Sequence, residues 1–220
     1  HDAGYRTSLF GKAHFQPLAS RPDLGSTSLE CQPTLRDLDF WRKFRGPWYG
    51  FDRLELARMH TDESHVGQHY AIWMEEHGLA NWRDYFDPWP PEPERKPLPW
   101  LRAWNLPEPM HYNYWIAERT NAELKQAQQA GQPFFSWASF FDPHFPQIVP
   151  EPWYSMYRPE DMDPGTLEPG ELQRMPVPLQ LTQRENPDFP RWYEWFMSHG
   201  YTRHVHGQDR KWLQNLLAVY

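Results

Sequence analysis

The sequence contains one cysteine, no long apolar run and no block of basic residues. The single cysteine, Cys31, excludes an internal disulfide framework, and cytoplasmic, periplasmic and secreted locations all stay open. No apolar stretch reaches the about 18 residues of a transmembrane helix, and no signal peptide is recognisable. Because the net charge is −7 and the Lys and Arg residues form no cluster, a nucleic-acid partner is not expected.

Aromatic residues and prolines are abundant instead. Aromatics make up 17% of the 220 residues and include 13 Trp, so they must supply much of the buried area. The 24 prolines cluster at 84–110 and 149–190, where we expect loop excursions from one α/β domain that spans 1–220. The chain does not begin with Met, and an amphipathic helix at 211–220 has no cap. We therefore expect the central part of a larger domain.

The most informative stretch is QPFFSWASFFDPHFP, residues 132–146. Its part at 134–141 is almost continuously apolar, which predicts a strand buried on both faces in a parallel sheet. Asp142 and Pro143 break this strand and leave His144 exposed at its carboxyl end. Ligands of open α/β sheets bind at this end of the strands, so His144 is a candidate for chemistry. A loop histidine near a turn fits the same pattern.

A strand near the start of the chain ends in a similar way. Residues 5–10 have the pattern of a short strand, and Lys12 and His14 follow it. Positions i and i+2 of an extended backbone point to the same side, so these two side chains would converge on one anion. Solvated side chains without a role are the alternative. A helix predicted at 111–130 leads directly into the later strand, as in a crossover between parallel strands.

Histidines also cluster between a predicted strand at 47–56 and a predicted helix at 66–77. The cluster consists of His60, His65 and His69, with Asp62 and Glu63 among them. Residues four apart share one face of a helix, so His65 and His69 are candidate metal ligands. The sequence His-Val-Gly-Gln-His lacks the Glu of an H-E-x-x-H zinc site, and a polar lip over the site is the alternative.

Together these segments resemble the sulfatase family of the alkaline phosphatase superfamily. GYRTSLFGKAHF is similar to the family's G-Y-x-T-x-x-x-G-K-x-H segment, and PFFSWASFFDPHFP is similar to its P-F-F-x-x-x-S-F-x-x-P-H-x-P segment. The resemblance covers nearly all of this chain, which corresponds to the middle of a sulfatase. It implies an alkaline phosphatase-like fold, with a mostly parallel sheet flanked by helices, incomplete at both ends.

The resemblance also implies a reaction, the hydrolysis of a sulfate monoester. By analogy, Lys12 and His14 contact oxygens of the sulfate or of the nucleophile, and His144 contacts the sulfate or the leaving oxygen. The family nucleophile is a formylglycine made from Cys or Ser in a C/S-x-P-x-R motif, held near a divalent cation that is usually calcium. Cys31 does not fit that motif, because Arg36 comes one residue late and Cys31 follows Lys12.

We therefore expect the nucleophile and the calcium ligands to lie outside this chain, and the isolated chain to have little sulfatase activity. Two alternatives stay open. One is a phosphonate or phosphate diester hydrolase of the same superfamily, and the other is a non-catalytic, truncated sulfatase-like protein. The Lys and His of the G-K-x-H segment favour the sulfatase. The choice between a small-molecule and a glycan sulfate ester stays open, as does the oligomeric state.

Overall fold

The computed structural model describes residues 3–17, 28–58, 65–86, 101–144, 147–166, 168–182 and 210–220. The chain divides into two compact units, His1–Glu151 and Pro152–Tyr220. The first unit carries a small parallel sheet flanked by helices, so the fold class is α/β, as the sequence predicts. The described part of the second unit is helical.

The strands of the first unit are short. They are β1 (Arg6–Gly11), β2 (Arg53–Leu56), β3 (Leu101–Trp104), β4 (Phe134–Ser139) and β5 (Gln147–Pro150). Its α-helices are α1 (Leu38–Lys43), α2 (Gln68–Glu76) and α3 (Tyr112–Gln129). The second unit contains α4 (Glu171–Arg174), α5 (Val177–Thr182) and α6 (Arg210–Val219).

Strand β1 is the central strand of a three-stranded sheet with the order β2-β1-β4. It runs parallel to both neighbours, with Leu9 opposite Leu54 on one side and opposite Trp137 on the other. Leu9 and Phe10 are fully buried, and as successive strand residues they point to opposite faces of the sheet. Because the strands are parallel, their carboxyl ends share one edge of the sheet. Strands β3 and β5 form a separate parallel pair.

Helix α3 covers one face of this sheet, and its predicted position is confirmed. His111 caps the first turn, since its Nδ1 accepts a hydrogen bond from the backbone N–H of Asn113 at 3.3 Å. Trp115 and Ile116 are fully buried in the same core cluster as Phe10. The crossover from β1 through α3 to β4 therefore encloses the main apolar core.

A buried charge fastens α3 to the sheet. The side chain of Glu123 is 1% exposed. It accepts hydrogen bonds from Arg6 of β1 and, at 3.1 Å, from Arg53 of β2. Both guanidinium groups are only partly buried, whereas an unpaired buried carboxylate costs several kcal/mol or more in this setting. The ion cluster therefore fixes how α3 lies across two strands.

The opposite face is covered by α1. Asp37 caps this helix by accepting a hydrogen bond from the backbone N–H of Phe40 at 3.0 Å. Trp41 is fully buried in a second apolar cluster with Leu9 and Leu54. The two clusters therefore sandwich β1, with Phe10 in one cluster and Leu9 in the other.

The prediction that β4 is buried on both faces was wrong. A strand forms where the apolar run predicts one, but Phe134, Phe135 and Trp137 expose 47%, 54% and 42% of their surface. Strand β4 lies at the edge of the sheet, and none of the described strands pairs with its outer side. An aromatic run marks a strand, but it does not reveal how many neighbours cover that strand.

The proline-rich stretch 84–110 is not a surface loop throughout. Residues 87–100 lie outside the described part, but residues 101–104 form β3, and Trp104 and Leu106 are buried in the main core. The second proline-rich stretch, 149–190, is described up to residue 182 apart from residue 167, and it contains β5's last residues, α4 and α5. The sequence also predicts a helix at 189–199, and this stretch lies outside the described residues.

In the second unit, α6 confirms the helix predicted at 211–220. Its Arg210 pairs with Asp163 at 2.9 Å, and Gln214 donates to the carbonyl oxygen of Met162 at 3.1 Å. None of the helices within the described ranges combines the length and the apolar character that a bilayer crossing requires.

Candidate functional site

The carboxyl ends of β1 and β4 lie side by side. Gly11, the last residue of β1, is the register partner of Ser139, the last residue of β4. The backbone N–H of Lys12 donates to the carbonyl oxygen of Ser139 at 3.3 Å, so the pairing extends one residue beyond β1. The loop that carries Lys12 and His14 and the loop that carries His144 therefore start from the same edge of the sheet. This is the edge at which the sequence predicts a ligand site.

Glycine at position 11 is required by this close approach. Its φ is +106°, and a Cβ at this position would overlap the carbonyl oxygen of Ser139. Only glycine adopts that backbone conformation without strain and leaves room for the neighbouring strand. Gly11 thus determines where Lys12 leaves the sheet.

The prediction of an extended backbone from Lys12 to His14 was wrong at His14. The φ of His14 is +59°, in the left-handed region, so the backbone is not extended at this residue. The next residue, Phe15, packs its ring 5.6 Å from Trp48 and 5.7 Å from Trp137 between ring centroids. His14 itself is exposed, whereas Lys12 is half-buried. Both residues lie close to the sheet edge because they directly follow β1.

Lys12 lies in an environment that disfavours its charge. Burial lowers the pKa of its ammonium group, the nearby guanidinium of Arg58 lowers the pKa further, and Glu30 acts in the opposite direction. No carboxylate among the described residues forms an ion pair with Lys12. A half-buried lysine at the open end of a sheet is suited to contact an anion that arrives from solvent.

Glu30 holds the loop after β1 in place. Its carboxylate is buried and accepts hydrogen bonds from the backbone N–H groups of Phe15 at 2.9 Å and Gln16 at 3.3 Å. The side chain of Gln16 in turn accepts from the backbone N–H of Leu29 at 2.7 Å. The stretch 28–31 is therefore a support under the Lys12–His14 loop.

The turn that carries His144 is held by the start of α3. The backbone N–H of His144 donates to the carbonyl oxygen of Phe141 at 2.9 Å. Within this turn, the carboxylate of Asp142 accepts from the hydroxyl of Tyr112 and from the amide Nδ2 of Asn113, both at 2.7 Å. Hydrogen bonds to a charged acceptor contribute about 1.5–3 kcal/mol each. Asp142 therefore anchors the exposed His144 turn to a buried tyrosine.

A buried histidine lies beside this anchor. The Nε2 of His111 is 4.0 Å from a carboxylate oxygen of Asp142 and has no hydrogen-bond partner in the described part of the chain. Burial lowers the pKa of His111 to about 4, although Asp142 and Glu108 oppose this effect. The imidazole is thus neutral near pH 7.

The metal interpretation of the histidine cluster is not supported by the described residues. His65 precedes α2, which begins at Gln68, so His65 and His69 do not share a helix face. His69 is buried, and both of its ring nitrogens bond backbone groups, the N–H of Leu56 at 2.9 Å and the carbonyl of Phe44 at 2.7 Å. Its role is structural. His60 lies outside the described residues.

The calcium implied by the resemblance does not fit the residues described at this edge. The carboxylates beside the two loops are engaged, Glu30 with backbone N–H groups and Asp142 with Tyr112 and Asn113. No group of three His, Cys, Asp or Glu residues in the described ranges is arranged to hold a metal ion. Calcium prefers oxygen ligands, whereas this edge presents lysine and histidine. The described residues therefore supply no calcium ligand at this edge.

Cys31 is a packing residue. It is buried, and its thiol lies 3.6 Å from the carbonyl oxygen of Ser28.

A pocket of about 400 Å³ opens at the other end of the sheet, between Arg6, Asp52 and Arg53. Both of its arginines pair with Glu123, so the pocket is unlike the Lys12 edge.

No protein-family model matches this chain, and no curated protein matches it either. The functional assignment consequently depends on the residues and their geometry.

Sequence reasoning missed several residues near the candidate site. Arg58 follows β2 by two residues and would have been found by applying the strand-end rule to this strand as well. Asp142 stood in the motif, but its partners Tyr112 and Asn113 belong to a helix whose approach no local pattern reveals. Glu30 lies in an irregular stretch of the sequence, where no motif or periodicity indicated a role for it.

Proposed function

We propose that this chain carries the sulfate-contacting part of a sulfuric ester hydrolase with an alkaline phosphatase-like fold. Lys12, His14 and His144 are the proposed contacts. The observation that carries the proposal is the parallel pairing of β1 with β4. This pairing gives two motif segments that are far apart in the sequence a common sheet edge.

The chemistry of sulfate-ester hydrolysis matches these side chains. Water adds across the ester, the bond between sulfur and the leaving oxygen breaks, and an alcohol and sulfate are released. Negative charge develops on the leaving oxygen, while the sulfuryl oxygens stay anionic. A fixed ammonium group such as Lys12 stabilises that charge, and an imidazole such as His144 donates a proton to the leaving oxygen. The proposal assigns the nucleophile to none of residues 1–220.

The first test is hydrolysis of an aryl sulfate by the protein expressed from its complete reading frame, with calcium present. Lys12→Ala and His144→Ala are each expected to lower kcat/KM by about 100-fold or more, because each removes a group that stabilises the transition state. Lys43→Ala and His77→Ala are the matched controls, since both side chains are exposed on helices α1 and α2 or their ends. The controls should keep full activity.

Three results would contradict the proposal. Sulfatase activity that survives both site substitutions would remove these residues from the reaction. If the aryl sulfate is inert but a phosphonate monoester or a phosphate diester is cleaved, the phosphorus-ester alternative replaces it. If all of these substrates are inert, the non-catalytic alternative is favoured.

A further inference from the structure

We propose that Arg58 is an additional anion-contacting residue, which binds the sulfate group beside Lys12. The inference rests on the proposed function and extends it, because neither matching motif contains Arg58. The ligand class is a tetrahedral oxyanion with several oxygens, for which inorganic sulfate is the simplest probe.

Sheet geometry brings Arg58 to the edge. Leu56, the last residue of β2, is the register partner of Gly11. The backbone N–H of Ala57 donates to the carbonyl oxygen of Gly11 at 3.1 Å, so the β2 chain continues alongside the end of β1. Ala57 thus lies alongside Lys12, and Arg58 follows Ala57, close enough for its charge to act on Lys12. The third strand of the sheet thus contributes a cation to the edge where the other two contribute Lys12, His14 and His144.

A hydrogen bond orients the guanidinium group. Nη1 of Arg58 donates to the backbone carbonyl of Glu30 at 3.1 Å. The carboxylate of Glu30 is directed to the backbone N–H groups of Phe15 and Gln16, in the loop that follows Lys12. Arg58 is therefore fixed against the same support that holds the Lys12 loop.

The positive charges of Arg58 and Lys12 repel each other. Arg58 is the second-largest cause of the lowered pKa of Lys12, after burial. Holding two cations close together is unfavourable, and the carboxylate of Glu30 offsets part of this repulsion at Lys12. The chain as a whole carries a net charge of −7, so a cationic edge is a local feature against the overall charge. A guanidinium also offers a planar fork of donors that matches two oxygens of one oxyanion, which an ammonium cannot do.

The test is sulfate binding to the 220-residue chain, measured by calorimetry at low ionic strength. Arg58→Gln is expected to weaken sulfate binding by about tenfold, and Arg58→Lys by less, because a charge-assisted hydrogen bond is lost or reduced. Arg42→Gln is the matched control, since it removes the same charge from a partly exposed arginine of α1 that pairs with Asp39 and Glu75. The control should bind sulfate like the unaltered chain.

A second measurement tests whether Arg58 lies close to Lys12 in the folded chain. The Nζ pKa of Lys12, followed by NMR, should rise in Arg58→Gln, because the neighbouring positive charge is gone. Unchanged sulfate affinity in Arg58→Gln, with binding lost in Lys12→Ala, would overturn the role of Arg58 and leave the proposed site intact. If Arg42→Gln weakens sulfate binding as much as Arg58→Gln does, the change in net charge explains the effect and the Arg58 contact is overturned. No sulfate binding by the unaltered chain would overturn the Arg58 contact and weaken the proposed function together.

Discussion

His69 shows how one buried side chain connects three segments of the first unit. Its Nδ1 accepts the N–H of Leu56 in β2, so Nε2 carries the proton and donates to the carbonyl of Phe44 after α1. Burial, with a contribution from Arg45, lowers the pKa of His69 to about 3. The folded state therefore requires the neutral imidazole.

This requirement predicts acid sensitivity. The unfolded chain binds a proton at the ordinary histidine pKa of about 6.5, whereas the folded chain resists it down to about 3. The stability contributed by neutral His69 is present above pH 6.5 and is lost as pH falls towards 3, by about 1.4 kcal/mol per pH unit at most. Between pH 7 and pH 5 the loss should reach about 2 kcal/mol.

The variant His69→Gln tests this account, because an amide keeps one donor and one acceptor but does not titrate. Urea unfolding at pH 7 and pH 5 should show a smaller loss of stability in the variant, by about 2 kcal/mol, than in the unaltered chain. The remaining acid dependence includes His111, whose pKa is also lowered. The difference in unfolding free energy between the variant and the unaltered chain at pH 7 gives the packing cost of the substitution. If the loss of stability between pH 7 and pH 5 is the same in the variant and in the unaltered chain, the account is contradicted.

At the scale of single residues, the sequence predicted Lys12, His14 and His144 because each follows an apolar strand. It could not predict the neutral, bonded state of His69, since its partners lie at residues 44 and 56. The same limit applies to Asp142, whose two hydrogen bonds come from α3. Contacts between distant segments depend on packing that no local pattern contains.

Among the elements, the joint between the carboxyl ends of β1 and β4 determines where the proposed contacts lie. Gly11 allows the two strand ends to meet, because its φ of +106° and its missing Cβ bring the chain against Ser139. The pairing of these ends is also what directs the loop that begins with Lys12. The joint therefore connects a backbone requirement to the proposed chemistry.

Substitution of Gly11 by Ala should be severe. It adds backbone strain and an overlap with a backbone oxygen, which together cost about 3 kcal/mol. Gly4→Ala is the matched control, because Gly4 also has a positive φ, +79°, but open space around its Cβ position. The control should lose only about 1 kcal/mol. The measurement is urea unfolding, and equal losses in the two variants would contradict the proposed close approach.

Element types were more predictable than their surroundings. The long helix α3 follows from its apolar periodicity, and the strand β1 follows from the strand pattern of residues 5–10. Strand β3 was missed, because its four residues are embedded in a proline-rich stretch that resembles loop. For β4, composition predicted the strand but not its exposed faces, since exposure depends on which other strands pair with it.

On the scale of the whole molecule, the parallel topology brings the proposed anion contacts to one edge of the sheet. The strands β2, β1 and β4 end at one edge, and each is followed by a residue that carries positive charge or an imidazole. The chain otherwise has an excess of acidic residues, with 29 Asp and Glu against 22 Lys and Arg. An anion is therefore expected to be drawn to this edge in particular.

The central claim is that Lys12, His14 and His144 form one anion site, and an NMR titration tests it most directly. Inorganic sulfate is added to the 220-residue chain while the imidazole signals of His14 and His144 are followed. Both histidines should shift along one binding curve with the same Kd, and both shifts should disappear in Lys12→Ala. Two unrelated curves, or a shift of only one histidine, would contradict the claim.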